Sequence, residues 1–89
     1  KILEILPHKS ISLQKHSKRS EHWVVVEGTA TVYIETEKYK HEEIIEQNES
    51  IFVPIGAIHK LSNHTDEILQ IAEVQIGEYL GEDDIERFD

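Results

Sequence analysis

The chain has 89 residues and a formal net charge of −9, with 18 acidic residues against 9 Lys and Arg. This length allows one small domain, the acidity disfavours binding to nucleic-acid phosphates, and the absence of cysteine excludes disulfides and thiolate metal sites. No apolar stretch approaches the roughly 20 residues of a membrane helix and no signal-peptide pattern is present, so we predict a cytoplasmic location without a membrane partner.

Eight short segments have the composition of β-strands, and turn signals separate them. Alternating or continuous apolar residues place these strands at 1–5, 11–16, 23–26, 29–36, 39–45, 51–53, 58–61 and 68–76. Polar residues at 17–20 and 62–66 indicate a loop and a turn. The acidic tail 81–89 is predicted to form a helical turn, with Arg87 late in it.

Many short strands with regular turns are typical of a β-sandwich or barrel. About eight short antiparallel strands fit a jelly-roll barrel, so we predict an all-β fold. No linker or repeat divides the chain, and residues 1–89 are predicted to form one domain. Because the first residues already have a strand pattern, we expect this domain to be a piece of a longer protein.

The first of two notable segments reads Gln14-x-His16-x4-Glu21-x6-Gly28. Residues two apart on a strand point to the same face, so Gln14 and His16 are both predicted to face the barrel interior. Glu21 follows a loop and returns to the same place from the next strand. Gly28 allows the backbone to turn out of that strand.

The second segment reads Pro54-x-Gly56-x2-His59-x3-Asn63. Pro54 and Gly56 are typical of a tight turn, and that turn would deliver His59 to the same interior. Two imidazoles, a carboxylate and an amide oxygen form a mixed nitrogen and oxygen site. Such a site suits Zn, Mn, Fe, Co or Ni without choosing among them, and it leaves a coordination position for water or substrate.

Each of these residues alone has an ordinary alternative explanation, because single His, Gln and Glu residues are most often surface groups. The joint spacing is what favours a metal site. Lys15, Lys18 and Arg19 form a basic cluster beside two of the predicted ligands, either as loop charges or as a site for a small anion. Trp23 and Phe52 are predicted to pack in the core rather than to line a sugar pocket.

The two segments and the gap between them resemble the signature of the cupin superfamily. Cupins usually carry His-x-His at the start of the first segment, where this chain has Gln14-x-His16. The resemblance implies a metal-binding jelly-roll barrel that pairs as a homodimer.

The chain also resembles the C-terminal domain of type II phosphomannose isomerases, which is usually fused behind a mannose-1-phosphate guanylyltransferase domain. The match covers nearly the whole chain. The matching residues are Ser12, Leu13, Gln14, His16, Arg19, Glu21, His22, Trp23, Val24, Val25, Val26, Gly28, Thr29, Ala30, Asn48, Glu49, Ser50, Tyr79, Leu80, Gly81, Glu82, Asp83, Asp84, Ile85 and Arg87.

This second resemblance implies interconversion of mannose 6-phosphate and fructose 6-phosphate through an enediol, as a step toward GDP-mannose. It implies a divalent metal on Gln14, His16, Glu21 and His59, with Arg19 and Glu21 in the catalytic centre. It also implies that the sugar phosphate binds to Lys18, Arg19 and Arg87. The proton-abstracting base is not assigned.

Two alternatives to an isomerase stay open. The domain either binds metal and sugar without turnover, or serves only as a dimerisation module. Guanylyl transfer is not expected, because the four glycines are scattered and form no phosphate-binding loop.

Overall fold

The computed structural model describes all 89 residues and contains nine strands and no helix. With no helix present, none could cross a membrane. The strands are β1 (Ile2–Ile5), β2 (Gln14–Lys15), β3 (Arg19–Glu27), β4 (Ala30–Glu35), β5 (Lys40–Ile45), β6 (Ser50–Val53), β7 (Ile58–Ser62), β8 (Leu69–Gly77) and β9 (Glu86–Arg87).

Two sheets, whose strand pairs are all antiparallel, enclose the core. One sheet has the order β1-β8-β3-β6 and the other the order β5-β4-β7-β2-β9. Non-sequential neighbours such as β8 and β3 are the mark of a jelly roll. The prediction of an all-β jelly roll is therefore confirmed.

Alternating burial along the strands builds the interior. In β4 every second residue is buried, and in β3 the inward residues run from Arg19 to Val25 at every second position. Gly28 has a φ of +90°, and a Cβ there would lie 2.7 Å from the carbonyl oxygen of Ile68. The predicted turn at Gly28 therefore needs glycine for both conformation and space.

Two predicted boundaries around the first segment are wrong. The strand predicted at 11–16 is reduced to Gln14–Lys15, because Ile11 and Ser10 make only isolated contacts with β7. The loop predicted at 17–20 ends early, because Arg19 and Ser20 already pair with Gly77 and Ile76 of β8.

The tail does not form the predicted helical turn. A single turn links Gly81 and Asp84, and the chain then extends as β9 against β2. The carboxylate of Asp84 accepts the backbone N–H groups of Ser17 and Lys18 at 3.0 and 2.9 Å. These bonds hold the tail in an extended path along β2.

Most of the exposed side of the β1-β8-β3-β6 sheet is uncharged and rich in apolar residues, and we call this part the outer face. Glu4 and Glu27, which both pair with Gln70, lie at one end of the same side of the sheet. Phe52 lies on this face and is 48% exposed, so its predicted core position is wrong. His22 packs on Phe52 with ring centroids 4.8 Å apart. The register joins these residues to further outward positions, namely Ile2, Ser20, Val24, Ser50, Ala72, Val74 and Ile76.

Candidate metal centre

Three buried side chains from separate parts of the chain meet between the sheets. His16 follows β2, Glu21 lies on β3 and His59 lies on β7, and one candidate ligand atom from each lies within 4.8 Å of the others. The two imidazole centroids are 5.2 Å apart. Ligands of one Zn²⁺ ion sit at about 2.0–2.2 Å from it, so a small contraction would bring these atoms around one cation.

Local structure fixes the direction of His59. The turn formed by Pro54 and Gly56 places Ala57 just ahead of β7, and His59 Nδ1 lies 3.0 Å from the carbonyl oxygen of Ala57. A carbonyl oxygen only accepts, so Nδ1 carries the proton. In the neutral ring Nε2 therefore has a free lone pair, and this buried atom has no hydrogen-bond partner.

His16 has the opposite kind of neighbour. Arg19 Nη2 lies 3.1 Å from His16 Nε2, and because a guanidinium only donates, Nε2 accepts this bond. In the neutral ring the proton is then on Nδ1. That nitrogen is buried without a hydrogen-bond partner, 3.6 Å from Glu21 Oε2.

Both imidazoles are held neutral. Burial, followed by the nearby Arg19 charge, lowers the pKa of His16 to about 4. Burial also lowers the pKa of His59. Neutral imidazole is the form that binds metal, and buried nitrogens without partners are costly unless a ligand satisfies them. The residues present therefore fit a divalent cation.

Both oxygens of the Glu21 carboxylate accept a hydrogen bond from the protein. Its Oε2 accepts a bond of 2.8 Å from Arg19 Nε, and its Oε1 accepts one of 3.0 Å from the Trp23 indole. The indole N–H is shared with Glu73 Oε1 at 3.1 Å. Arg19 and Glu21 are thus a buried ion pair, with relative exposures of 4% and 2%.

Glu73 is a site residue that the sequence analysis missed. Burial, followed by the charge of Glu21, raises the pKa of Glu73. The sequence pattern indicates that Glu73 faces inward, because Leu69, Ile71 and Glu73 occupy consecutive inward positions of an alternating strand. A carboxylate at such a position is unusual and marks a candidate site.

A cleft of about 300 Å³ opens beside this cluster. Of the predicted substrate-binding residues, Arg19 and Arg87 line it. The lining residues are Lys1, Leu3, Ile11, Ser12, Gln14, His16, Arg19, Glu21, Glu73, Glu82, Ile85 and Arg87. Larger depressions of about 360 and 430 Å³ contain no histidine or arginine.

Gln14 lies at the edge of the cluster. It is opposite His59 in the β2–β7 register and opposite Arg87 in the β2–β9 register. Its side-chain oxygen accepts a 3.1 Å bond from Ser12 Oγ. Gln14 therefore lines the cleft, while its role as a ligand stays a prediction.

Lys18 lies outside the cleft. Its side chain is exposed and its ammonium sits 5.2 Å from the centroid of the Tyr79 ring. The predicted contact of Lys18 with substrate therefore has no support in the position of the side chain.

The metal-free protein is expected to lose stability between about pH 6.5 and pH 4. As the pH falls through this window, the unfolded chain takes up a proton on His16 while the folded protein does not. The lowered pKa of His59 destabilises the folded protein in the same direction. Each missing proton steepens the loss by up to ~1.4 kcal/mol per pH unit. The raised pKa of Glu73 opposes this loss of stability, but it is one group against two imidazoles.

Urea unfolding with chelator, followed by Trp23 fluorescence, measures the dependence of stability on pH. A flat profile over this window would contradict the burial of both imidazoles, and His64→Ala, at an exposed ring, serves as control.

Comparison with known sequences gives consistent matches over the whole chain. The family described as mannose-6-phosphate isomerase C-terminal matches residues 1–89. A mannose-1-phosphate guanylyltransferase of Sinorhizobium fredii is 49% identical over 85 residues, which is 96% of this chain and 16% of that protein. The alginate biosynthesis protein AlgA of Pseudomonas putida is 45% identical over 100% of this chain and 18% of its own length. The chain thus spans less than a fifth of these curated relatives.

Solved structures with the same fold have much lower identity. An oxalate oxidase in complex with glycolate superposes with a TM-score of 0.85 at 16% identity, over 97% of this chain and 43% of that one. The cupin domain of Drosophila melanogaster CENP-C superposes with a TM-score of 0.77 at 15% identity, over 84% and 58% of the two chains. At such identities the likeness shows the fold alone, and the predicted cupin fold is confirmed.

Proposed function

The chain belongs to the mannose-6-phosphate isomerase C-terminal family, and on that premise we propose that it interconverts mannose 6-phosphate and fructose 6-phosphate with a divalent cation. The observation that carries this proposal is the buried His16–Glu21–His59 group, whose imidazoles each present a nitrogen without a partner. A metal-assisted isomerase that moves a proton between neighbouring carbons needs its metal centre beside an open cleft. In this chain, a cleft lined by Arg19 and Arg87 adjoins the His16–Glu21–His59 group.

The cation would be held by His16, Glu21 and His59, with Gln14 as a fourth candidate. When bound, it would supply Lewis-acid polarisation of the substrate oxygens. Zn, Mn, Co, Ni and Fe all suit this donor set. Glu21 is oriented by Arg19 and Trp23, so its carboxylate is fixed before any ligand enters.

The anionic end of the substrate would bind at the arginines. Arg19 Nη1 is buried without a hydrogen-bond partner, and Arg87 reaches the same cleft from β9. A guanidinium binds a phosphate through charge-assisted, often bidentate hydrogen bonds. In this arrangement the phosphate would lie beside Arg19 and the sugar carbons would lie toward the histidines.

The relatives suggest the setting of this reaction. Their names refer to mannose-1-phosphate guanylyl transfer and to alginate and xanthan biosynthesis. The isomerase step would supply mannose phosphate for GDP-mannose and hence for polysaccharide. A cytoplasmic location, where sugar nucleotides are made, stays a prediction.

Adding chelator is expected to abolish the isomerisation of mannose 6-phosphate by the purified chain, and one divalent cation per chain is expected to restore it. A coupled assay of fructose 6-phosphate formation, joined to elemental analysis, makes this measurement. Stoichiometric metal without turnover would favour the alternative of a non-catalytic binding domain. Turnover that persists in chelator with no metal present would contradict the metal-assisted mechanism.

A second copy of the chain is proposed to cover the outer face. The residues that define this face include no Asp, Glu, Lys or Arg, and the acidic Glu4 and Glu27 lie at its edge, although 30% of the whole chain is charged. Two copies that each carry a net charge of −9 can approach most cheaply through an uncharged surface, because like charges placed together cost several kcal/mol. An apolar patch of this kind is typical of an interface.

Val74→Arg is expected to weaken this dimer at least about 100-fold, because the symmetric contact would bury two unpaired charges. Analytical ultracentrifugation over a range of concentrations gives the dissociation constants. Ile44→Arg makes the same change at an apolar residue that is 65% exposed on β5, and it should leave the dimer intact. A wild-type chain that remains monomeric at a concentration of about 100 micromolar would refute this dimer.

A further inference from the structure

Arg19 is bonded to two of the three candidate metal ligands at once. Its Nε donates to Glu21 Oε2 at 2.8 Å, and its Nη2 donates to His16 Nε2 at 3.1 Å. The third nitrogen, Nη1, is buried with no partner, and the residue as a whole is 4% exposed. The guanidinium therefore occupies the lone pair that a cation would need from His16.

The bond between Arg19 and His16 cannot survive metal binding through either ring nitrogen. If His16 binds a cation through Nε2, that lone pair is no longer available to Arg19. If it binds through Nδ1, the proton now on Nδ1 must move to Nε2 or leave. A protonated Nε2 would then point an N–H group at a guanidinium that also only donates, whereas loss of the proton altogether is excluded for imidazole near neutral pH.

Movement of the guanidinium need not disturb Glu21. A carboxylate oxygen has more than one lone pair, so the bond from Arg19 Nε to Glu21 Oε2 can persist. A shift of the guanidinium that keeps Nε near Glu21 would part Nη2 from His16. The displaced nitrogen then joins Nη1 as a second donor without a partner.

We propose that Arg19 couples metal binding to anion binding: a cation displaces it from His16, and the freed guanidinium then binds the phosphate of the substrate. The coupling rests on the metal site and the phosphate role proposed above. Before metal binds, Arg19 is divided between two protein partners. Afterwards it presents two unpartnered nitrogens to a cleft that already contains Arg87.

Charge works in the same direction as geometry. A divalent cation adds two positive charges beside a buried arginine, and this repulsion is relieved when a phosphate enters the cleft. Binding free energies are linked reciprocally, so phosphate must tighten metal binding by the same factor by which metal tightens phosphate binding. Each ligand therefore favours the binding of the other, whichever of the two binds first.

The linkage is measured by titrating the metal-free chain with Mn²⁺, with and without saturating inorganic phosphate, by calorimetry. In the wild type, phosphate is expected to tighten Mn²⁺ binding at least fivefold, within the usual range of allosteric coupling of about 5–150-fold. Complexes between free Mn²⁺ and phosphate lower the apparent affinity, so they cannot imitate this result. A coupling factor near one in the wild type would overturn the proposal.

Two variants separate Arg19 from the general positive charge of the cleft. Arg19→Met is expected to bind Mn²⁺ more tightly than the wild type without phosphate, and to lose the coupling. Arg87→Gln, in the same cleft but without a contact to His16 or Glu21, is expected to weaken phosphate binding while the coupling factor at saturating phosphate stays within about twofold of wild type. Coupling that survives in Arg19→Met would assign it to another group and overturn the proposal.

A measurement on the wild-type chain covers the case in which Arg19→Met fails to fold. Nitrogen-15 NMR of the metal-free protein is expected to show His16 protonated at Nδ1. One equivalent of Zn²⁺ alone should then shift the His16 ring nitrogens and the Arg19 side-chain resonances together. If Zn²⁺ shifts the His16 and His59 rings and leaves Arg19 unchanged, the displacement is wrong while the metal site stands. If Zn²⁺ shifts neither ring, the proposed metal site itself fails, and the displacement with it.

Discussion

His59→Gln is expected to lower the affinity for a divalent cation at least about 100-fold and to reduce isomerase turnover to the level of the chelated protein. His59 supplies the one imidazole lone pair that is already free, because Ala57 fixes its Nδ1–H. Loss of groups that merely orient metal ligands costs about 10–100-fold, so loss of a ligand should cost more. Calorimetry with Mn²⁺ and the coupled isomerase assay measure the two effects.

His64→Ala is the matched control for this variant. His64 is an exposed histidine five residues further along the chain, and its removal should change neither metal affinity nor turnover. Near-ultraviolet circular dichroism of Trp23, whose ring is edge-on to His59 with centroids 5.6 Å apart, verifies that His59→Gln retains the native packing. A folded His59→Gln protein with wild-type metal affinity would remove His59 from the metal site.

Glu21→Ala is expected to destabilise the metal-free domain by about 3–5 kcal/mol, the usual cost of leaving one member of a buried ion pair without the other. The Trp23 indole retains Glu73 as an acceptor, so most of the loss comes from the unpaired guanidinium of Arg19. For a domain of this size such a loss is a large part of the total stability of about 5–15 kcal/mol. Urea unfolding at pH 7 provides the measurement.

The double variant Arg19→Met/Glu21→Leu tests the cause of that loss. Replacing both members of a buried pair by apolar residues is often neutral or stabilising, so the double variant should recover most of the stability lost in Glu21→Ala. Glu43→Ala removes an exposed partner of His41 and should cost less than about 1 kcal/mol. A double variant no more stable than Glu21→Ala would show that the cost comes from packing rather than from charge.

The strands that could be predicted from the sequence are those whose own side chains define a buried face. The run from Trp23 to Val26 and the alternation from Ala30 to Glu35 both predict a strand, and both lie in one. Strands β2 and β9 have only two residues each. β2 lies within the strand predicted at 11–16 and also pairs with β7, whereas the extended form of β9 depends on its pairing with β2 and on the bonds of Asp84, which no local pattern records.

For the candidate site, the sequence predicted which residues lie near one another, but it did not predict the contacts between them. Spacing and the turn at Gly56 bring His16, Glu21 and His59 toward one interior, and the structure places them together. The contact between Arg19 and His16 could not be foreseen, because residues 17–20 were interpreted as a loop, whereas Arg19 begins β3. Phe52 was assigned to the core on its apolarity alone, although the face it lies on depends on the strand register.

The C-terminal tail, residues 81–89, pairs with β2 and forms part of the wall of the cleft. Beyond the bonds from Asp84, the backbone N–H of Phe88 donates to the carbonyl oxygen of Leu13 at 2.8 Å, and β9 carries Arg87 to the cleft. Proteolytic trimming of these last residues would therefore do more than shorten the chain. It would remove Arg87 from the wall of the cleft and leave the backbone groups at that edge of β2 without partners. An intact carboxyl terminus should therefore be verified by mass spectrometry in any preparation whose metal content is measured.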